Sequence, residues 1–175
     1  MPSIDYLSLN GLPYVVLAWL GLWVFRPFAT LIHELGHGVV ALIFTSSEVT
    51  VRAGRTGGGT INLFRRLNCE FSLLGGQEGC TKYAVNESAK FKHLLILAGG
   101  PLSSFCFVFH SGYLLFYQSL DPWAEIPLIS WFCCHSLTFL RSVIPMRLKP
   151  TVSYPDGPPS DGLQIFKLLF SQQKE

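Results

Sequence analysis

Charge is what this 175-residue sequence lacks. Its 13 Lys and Arg and 11 Asp and Glu residues make up only 14% of the chain, whereas a typical soluble domain carries about 25% charged residues. The apolar share is 49% and the mean hydropathy is +0.37. This composition argues against a soluble globular domain and against a disordered chain. Since the net charge is only +2 and no basic cluster stands out, we also expect no nucleic-acid partner.

Cysteine is scarce as well. An odd count of five, with three inside apolar stretches, does not indicate a disulfide framework. Cys69 and Cys80 lie outside those stretches, but they lack the CxxC spacing typical of zinc sites. A metal pair at Cys69 and Cys80 is therefore the weaker interpretation of these two residues.

The charge is missing from particular places. Residues 94–120 carry none, and residues 127–144 carry only Arg141, near one end. Apolar, nearly uncharged stretches of about 18 or more residues are typical of transmembrane helices. Each of these two stretches is therefore predicted to cross a membrane once.

The first apolar block covers residues 12–44 and would be about 50 Å long as one helix, against a bilayer core of about 30 Å. Arg26-Pro27 interrupts it, and proline disrupts a helix interior. We favour two helices, at about 12–25 and 27–45, over the other interpretation, one long tilted helix. No basic segment precedes the block and no small-residue cleavage site follows it, so we do not expect a signal peptide.

The loop at 46–92 is polar and rich in glycine. Its short alternating runs at 49–52 and 60–63 are typical of strands bounded by glycine turns. The segment 155–170 begins with Pro and Gly and ends in a short apolar helix at 163–170. We predict an all-α polytopic membrane protein with three to four transmembrane helices and a small β-hairpin-like loop, forming a single membrane-embedded domain over residues 1–175.

Basic residues collect on one side of the predicted spans. The turn between the last two spans carries only Asp121 and Glu125, whereas the 46–92 loop carries Arg52, Arg55, Arg65, Arg66, Lys82, Lys90 and Lys92. By the positive-inside rule, the loop at 46–92 is predicted to be cytosolic.

One stretch breaks the pattern of uncharged spans. The residues HELGH at 33–37 form an HExxH motif inside the first apolar block. On a helix, residues i and i+4 share a face, so His33 and His37 can bind one zinc ion while Glu34 takes a proton from a metal-bound water. Ionisable residues inside a membrane usually mark a functional site. The plainer interpretation is a pair of core histidines satisfied by backbone carbonyls, with Glu34 paired to one of them.

Two further motifs follow in order, LAGGPL at 97–102 and PSDG at 159–162. With the HELGH motif and the Gly-rich segment after it, they resemble the site-2 protease family of intramembrane zinc metalloproteases (peptidase M50), and within it the small M50B-like proteins. LAGGPL is similar to the AGP start of that family's next core helix, and PSDG to its DG motif. The resemblance covers about residues 27–170, although the Asn-Pro pair that many members carry before the DG motif is not present here.

The resemblance implies zinc as the cofactor, with His33, His37 and Asp161 as ligands and Glu34 as the residue that activates water. Asp156-Gly157 competes with Asp161-Gly162 for the third ligand. Asp161 is preferred because it directly precedes the apolar run at 163–170, whereas Asp156, between two prolines, is typical of a turn.

The implied function is an intramembrane zinc metalloendopeptidase that cleaves transmembrane segments of membrane proteins by metal-activated water. The alternative is a non-proteolytic membrane binding or assembly factor that retains the M50 scaffold and zinc site. A soluble zinc protease is excluded by the apolar content. An unwound substrate could pair with the strands at 49–63, in which case proline at Val51 or Thr60 should impair cleavage. We expect His110 and His135 to pack as polar residues between helices.

Overall fold

The chain alternates long apolar helices with a small sheet. The computed structural model describes residues 11–55, 57–75, 78–84, 89–150 and 155–170. Within them the elements are α1 (Leu12–Phe44), β1 (Val49–Ala53), β2 (Gly59–Phe64), β3 (Leu67–Phe71), β4 (Gly79–Lys82), α2 (Lys90–Tyr117), α3 (Pro122–Val143) and α4 (Asp161–Phe170).

The helix α1 runs unbroken for 33 residues with Pro27 inside it, so the favoured break at Arg26-Pro27 is wrong and the single long helix is correct. Proline removes one backbone hydrogen bond, whereas a turn would expose several backbone groups in apolar surroundings. Continuing the helix therefore costs less than breaking it. Pro27 is buried in the structure.

Three helices, α1, α2 and α3, are long and apolar enough to cross a membrane by length and composition. The two later ones start four and five residues before the predicted spans at 94–120 and 127–144, respectively. Large apolar side chains remain exposed on all three, including Trp19 at 65% and Phe116 at 86%. Exposed aromatic side chains on such helices suit contact with lipid.

The helices α1 and α2 cross very closely where glycines meet. A Cβ on Gly36 would overlap the backbone carbonyl of Gly99 and the side chain of Ser103. The Ser103 hydroxyl donates to the carbonyl of Ile32 in α1 at 3.1 Å. Small residues at helix crossings allow this backbone approach, and here it brings the HELGH turn of α1 against the LAGGPL turn of α2.

The loop between α1 and α2 forms a four-stranded mixed sheet rather than the predicted hairpin, in the order β2-β3-β1-β4. The strands β2 and β3 do form a hairpin, but β1 lies parallel to β3 and antiparallel to β4. Val51 therefore lies in a central strand paired on both sides, so it cannot accept a further strand. The hairpin prediction used only local turn signals, which carry no information about the non-local pairing of β1.

The sheet has one apolar and one polar face. Val49, Val51 and Leu67 are buried with Ala41 of α1 in the core, whereas alternate residues such as Arg52 and Glu70 face away from α1. The apolar face thus covers the last three turns of α1.

The end of α1 is held by the β2–β3 turn. The Arg66 guanidinium donates to the carbonyls of Thr45 and Leu42 at 2.8 and 3.2 Å. These are carbonyls that a helix end leaves without an intrahelical partner, and a cation there is also favoured by the helix dipole. The sheet is therefore fixed in place relative to the HELGH turn.

We expect Gly36→Ala to destabilise the protein by about 1–3 kcal/mol, the usual cost of overpacking, because the new methyl group meets backbone in α2 rather than a flexible side chain. The free energy of unfolding in detergent measures this. Gly59→Ala in β2 is the matched control, since a Cβ there meets nothing within 4 Å. Equal stability of the two variants would contradict the close crossing.

Candidate metal centre

The two histidines of the HELGH motif lie one helical turn apart on the face of α1 that meets α2. His33 is 6% exposed and His37 is 5% exposed. Their Nε2 atoms are 3.3 Å apart, and their rings are edge-on at 85°. The two Nε2 atoms, which are the candidate ligand atoms, therefore face one small space.

Asp161 joins them from 128 residues further along the chain. Its Oδ2 is 3.1 Å from the Nε2 of His33 and 3.4 Å from the Nε2 of His37. The three residues each offer one ligand atom, all within 4.8 Å of one another, and together they could hold a metal ion. Asp156, the competing candidate, lies exposed in a turn and is not part of this group among the described residues.

Ser160 and Gly162 fix the position of Asp161 at the start of α4. The Ser160 hydroxyl donates to the Ile144 carbonyl at 2.7 Å and accepts the backbone N–H of Leu163 at 3.2 Å, as an N-cap does. A Cβ on Gly162 would overlap the carbonyl of Val143. The DG motif is thus held against the end of α3, which explains why glycine follows the aspartate.

The outer atoms of the three residues are also hydrogen-bonded. The Nδ1 of His37 donates to the Ile96 carbonyl at 2.7 Å, which orients its Nε2 toward Asp161. The Nδ1 of His33 lies 3.0 Å from the hydroxyl of Ser104, and the hydroxyl of Ser142 donates to Asp161 at 2.7 Å. Partners of this kind orient metal-binding histidines and carboxylates.

Sequence reasoning missed Ser104 and Ser142, although Ser104 carried a signal. It lies four residues after Gly100 in α2, so the two residues share the helix face that the LAGGPL motif turns to α1. Ser142 carried none, because only the packing of α4 on α3 brings it to Asp161.

Gly100 leaves the space in which the ligand atoms meet. A Cβ there would overlap the Nε2 of His37 and lie 2.7 Å from the Nε2 of His33. Any other residue at this position would fill the place where an ion would sit. Gly100, the second glycine of the LAGGPL motif, therefore leaves space for the ligand atoms, whereas Gly99, the first, allows α1 and α2 to cross closely.

Asp161 is held in its ionised form. Burial by itself raises the pKa of the carboxyl, but its hydrogen bonds with His33 and His37, together with the charges on those rings, outweigh burial and hold the pKa well below its ordinary value. A carboxylate in this form is the one that binds a cation.

Glu34 lies beside the histidines but faces the sheet. The hydroxyl of Thr81 in β4 donates to Oε2 of Glu34 at 2.6 Å and lies 3.0 Å from the backbone carbonyl of the same residue. Glu34 directly follows His33 in α1, so its carboxylate lies on the sheet side of the turn that carries the histidines.

Tyr83, directly after β4, is a further residue that the sequence did not reveal. Its ring packs edge-on against His93 of α2, with centroids 6.0 Å apart. Burial, followed by the negative charges of Asp161 and Glu34, raises the pKa of Tyr83 to about 12. The phenol therefore stays protonated at neutral pH and can donate a hydrogen bond.

The remaining residues singled out from the sequence lie apart from this group. His135 is fully buried, stacked on Phe107 at 4.9 Å and tilted against Trp131 at 4.6 Å, in agreement with packing between helices. His110 is exposed. Cys69 pairs in register with Val51 and Cys80 with Arg52, so the two thiols lie on opposite faces of the sheet and cannot share an ion.

Comparisons with protein-family models, with curated proteins and with solved structures found no match for this chain. The resemblance to the site-2 proteases thus stays a prediction that depends on the three motifs.

We expect His33→Ala, His37→Ala and Asp161→Ala each to lose a bound divalent metal, because two ligands rarely hold an ion that three hold well. Asp156→Ala should keep it. Metal stoichiometry of the purified variants, measured by mass spectrometry after dialysis against zinc, tests this. Loss of metal in Asp156→Ala with retention in Asp161→Ala would reverse the assignment.

Proposed function

We propose that this protein is an intramembrane zinc metalloendopeptidase that cleaves transmembrane segments of other membrane proteins. The observation that carries the proposal is the meeting of His33, His37 and Asp161 around one space, with the Glu34 carboxylate beside them, on a helix apolar enough to cross a membrane. Each part of this arrangement has a distinct chemical use.

The donor set fits zinc. Two imidazole nitrogens and one carboxylate oxygen form the ligand set of several catalytic zinc sites, in which a fourth position stays open. The space that Gly100 leaves free is where these atoms converge. When bound, zinc lowers the pKa of a coordinated water and polarises a carbonyl.

Glu34 is the proposed general base. Its Oε2 is engaged by Thr81, which leaves Oε1 as the atom that accepts a proton from the attacking water. The same proton can later pass to the departing amine nitrogen, as general acid–base catalysis requires. Asp161 and the two histidines cannot take this role, because their lone pairs are those directed at the ion.

The depth of the site favours a membrane-embedded substrate. Glu34 lies ten residues before Phe44, the end of α1, which corresponds to about 15 Å along the helix axis. That distance is about half of a bilayer's hydrocarbon core. A peptide bond reaching this level belongs to a chain that is itself in the membrane.

A transmembrane substrate must unwind, because a helix occupies its own carbonyls with hydrogen bonds. The strand β4 offers an extended segment a place to pair. In the β1–β4 ladder the N–H of Gly54 donates to the carbonyl of Glu78, and alternate residues follow the same pattern. Gly79 and Thr81 therefore direct their backbone groups to the open edge of β4, which no described strand covers and which lies beside Glu34.

The substrate is thus proposed to pair with β4, and not with the strands at 49–63 as the sequence suggested. The central position of Val51 excludes pairing with β1. Thr60 lies on the other edge strand, β2, which among the described residues packs on β3 and does not contact α1. Of the two edges, β4 is the one next to the proposed base, and the positive-inside rule orients the sheet toward the cytosol.

Glu34→Gln should abolish cleavage, with a loss of at least about 100-fold, and retain the metal, because Glu34 is not a ligand. A suitable reporter is a tagged single-span protein with a Gly-Pro pair in its span, co-reconstituted with the enzyme and followed by mass spectrometry of the products. Asp156→Ala is the control variant. Equal cleavage by Glu34→Gln and the unaltered protein would exclude the protease, and would favour the membrane binding or assembly factor.

The substrate should contact β4 and not β2. A photo-reactive p-benzoylphenylalanine in place of Lys82, at the end of β4, should crosslink to the reporter in the Glu34→Gln background. The same group in place of Thr60 on β2 should not. Both positions are exposed, so a crosslink only from Thr60, or equal crosslinks from both, would contradict the assigned edge.

A further inference from the structure

The strand β4 contacts Glu34 through two residues that alternate along it. Thr81 pairs with the buried Val51 and Gly79 with the buried Ala53, so both lie on the sheet face that covers α1. Between them, Cys80 faces the opposite side. Because Gly79 and Thr81 are two residues apart on the strand, both face the carboxylate of Glu34.

Thr81 holds one carboxylate oxygen and Gly79 leaves room for the other. The Thr81 hydroxyl donates to Oε2 of Glu34 at 2.6 Å. A Cβ on Gly79 would overlap Oε1 and lie 2.8 Å from Cδ of Glu34. Among the described residues, no Lys or Arg forms an ion pair with Glu34. Its orientation therefore depends on these two positions of β4.

We propose that Thr81 is a positioning residue for Glu34, the proposed general base, and that Gly79 leaves the space which the Glu34 carboxylate occupies in that position. This inference rests on the proposed function in one respect, the role of Glu34. The hydrogen bond from Thr81 holds Oε2, while Oε1 lies against Gly79 without a side chain in its way, so the two residues together restrict the rotation of the carboxylate. Since Gly79 and Thr81 also carry the free backbone groups of the open edge, a peptide bound there lies against the two residues that orient the base.

The experiment uses metal binding and a small ligand, so it does not depend on peptide cleavage. The full chain is loaded with Co²⁺ in place of zinc and titrated with acetohydroxamic acid, followed through the d–d absorption of the metal. A hydroxamate bound to such an ion donates a hydrogen bond to the neighbouring general base, so its affinity reports the position of the Glu34 carboxylate.

Thr81→Val, which keeps the shape and removes the hydroxyl, should bind acetohydroxamic acid about tenfold more weakly, the size of one hydrogen bond to a charged group. Thr81→Ser should restore the affinity, since it restores the hydroxyl. Gly79→Ala should weaken binding as well, because it displaces Oε1. Thr60→Val on β2 is the matched control and should bind as the unaltered protein does.

A double-mutant cycle separates positioning from a general structural effect. If Thr81 acts through Glu34, then Thr81→Val should change the affinity by less than about twofold when Glu34→Ala is already present. An unchanged affinity in Thr81→Val alone, or an equal tenfold loss in the Glu34→Ala background, would overturn the inference and leave the protease proposal standing. Failure of the unaltered chain to bind Co²⁺ would overturn both.

Discussion

The structure depends on one electrostatic constraint, the meeting of two imidazole nitrogens and a carboxylate oxygen in a buried space. At separations of 3.1 to 3.4 Å, three atoms that each present a lone pair repel one another unless a proton or a cation lies between them. The neighbouring groups fix the direction of these lone pairs: the Ile96 carbonyl, the hydroxyls of Ser104 and Ser142 and the missing side chain of Gly100. The packing around the site therefore sets where an ion can bind.

The close crossing of α1 and α2 makes this arrangement possible. Gly36 and Gly99 let the two backbones approach, and this brings Gly100 and Ser104 within reach of the histidines. On the next face of α1, the same turn meets the sheet. Because His33 and Glu34 are consecutive, they point about 100° apart on the helix. In one turn of α1, His33 thus faces the metal space and Glu34 faces the strand β4.

The sheet links the site to the open edge of β4. An unpaired strand edge cannot face lipid at membrane depth, because its N–H and C=O groups would lack partners. The edge of β4 at Gly79 and Thr81, which no described strand covers, therefore suits contact with water or another chain. A place that holds an extended peptide beside Glu34 satisfies that requirement and supplies the substrate conformation that hydrolysis needs, which is why the proposed protease function accounts for both features together.

The sequence by itself indicated the apolar helices and the HELGH turn with His33 and His37, because hydropathy, helical periodicity and short motifs are local properties of the chain. The choice of Asp161 came from the similarity of PSDG to the DG motif of the site-2 proteases. Asp161 was preferred over Asp156 from its place before an apolar helix, and the structure brings Asp161 to the histidines. Only the tertiary structure decided the rest. The continuity of α1 through Pro27 depends on surroundings in which broken backbone hydrogen bonds are costly, and the insertion of β1 between β3 and β4 depends on non-local pairing. Thr81 and Ser142 carry common side chains, and nothing in their local sequence shows that the fold places them beside Glu34 and Asp161.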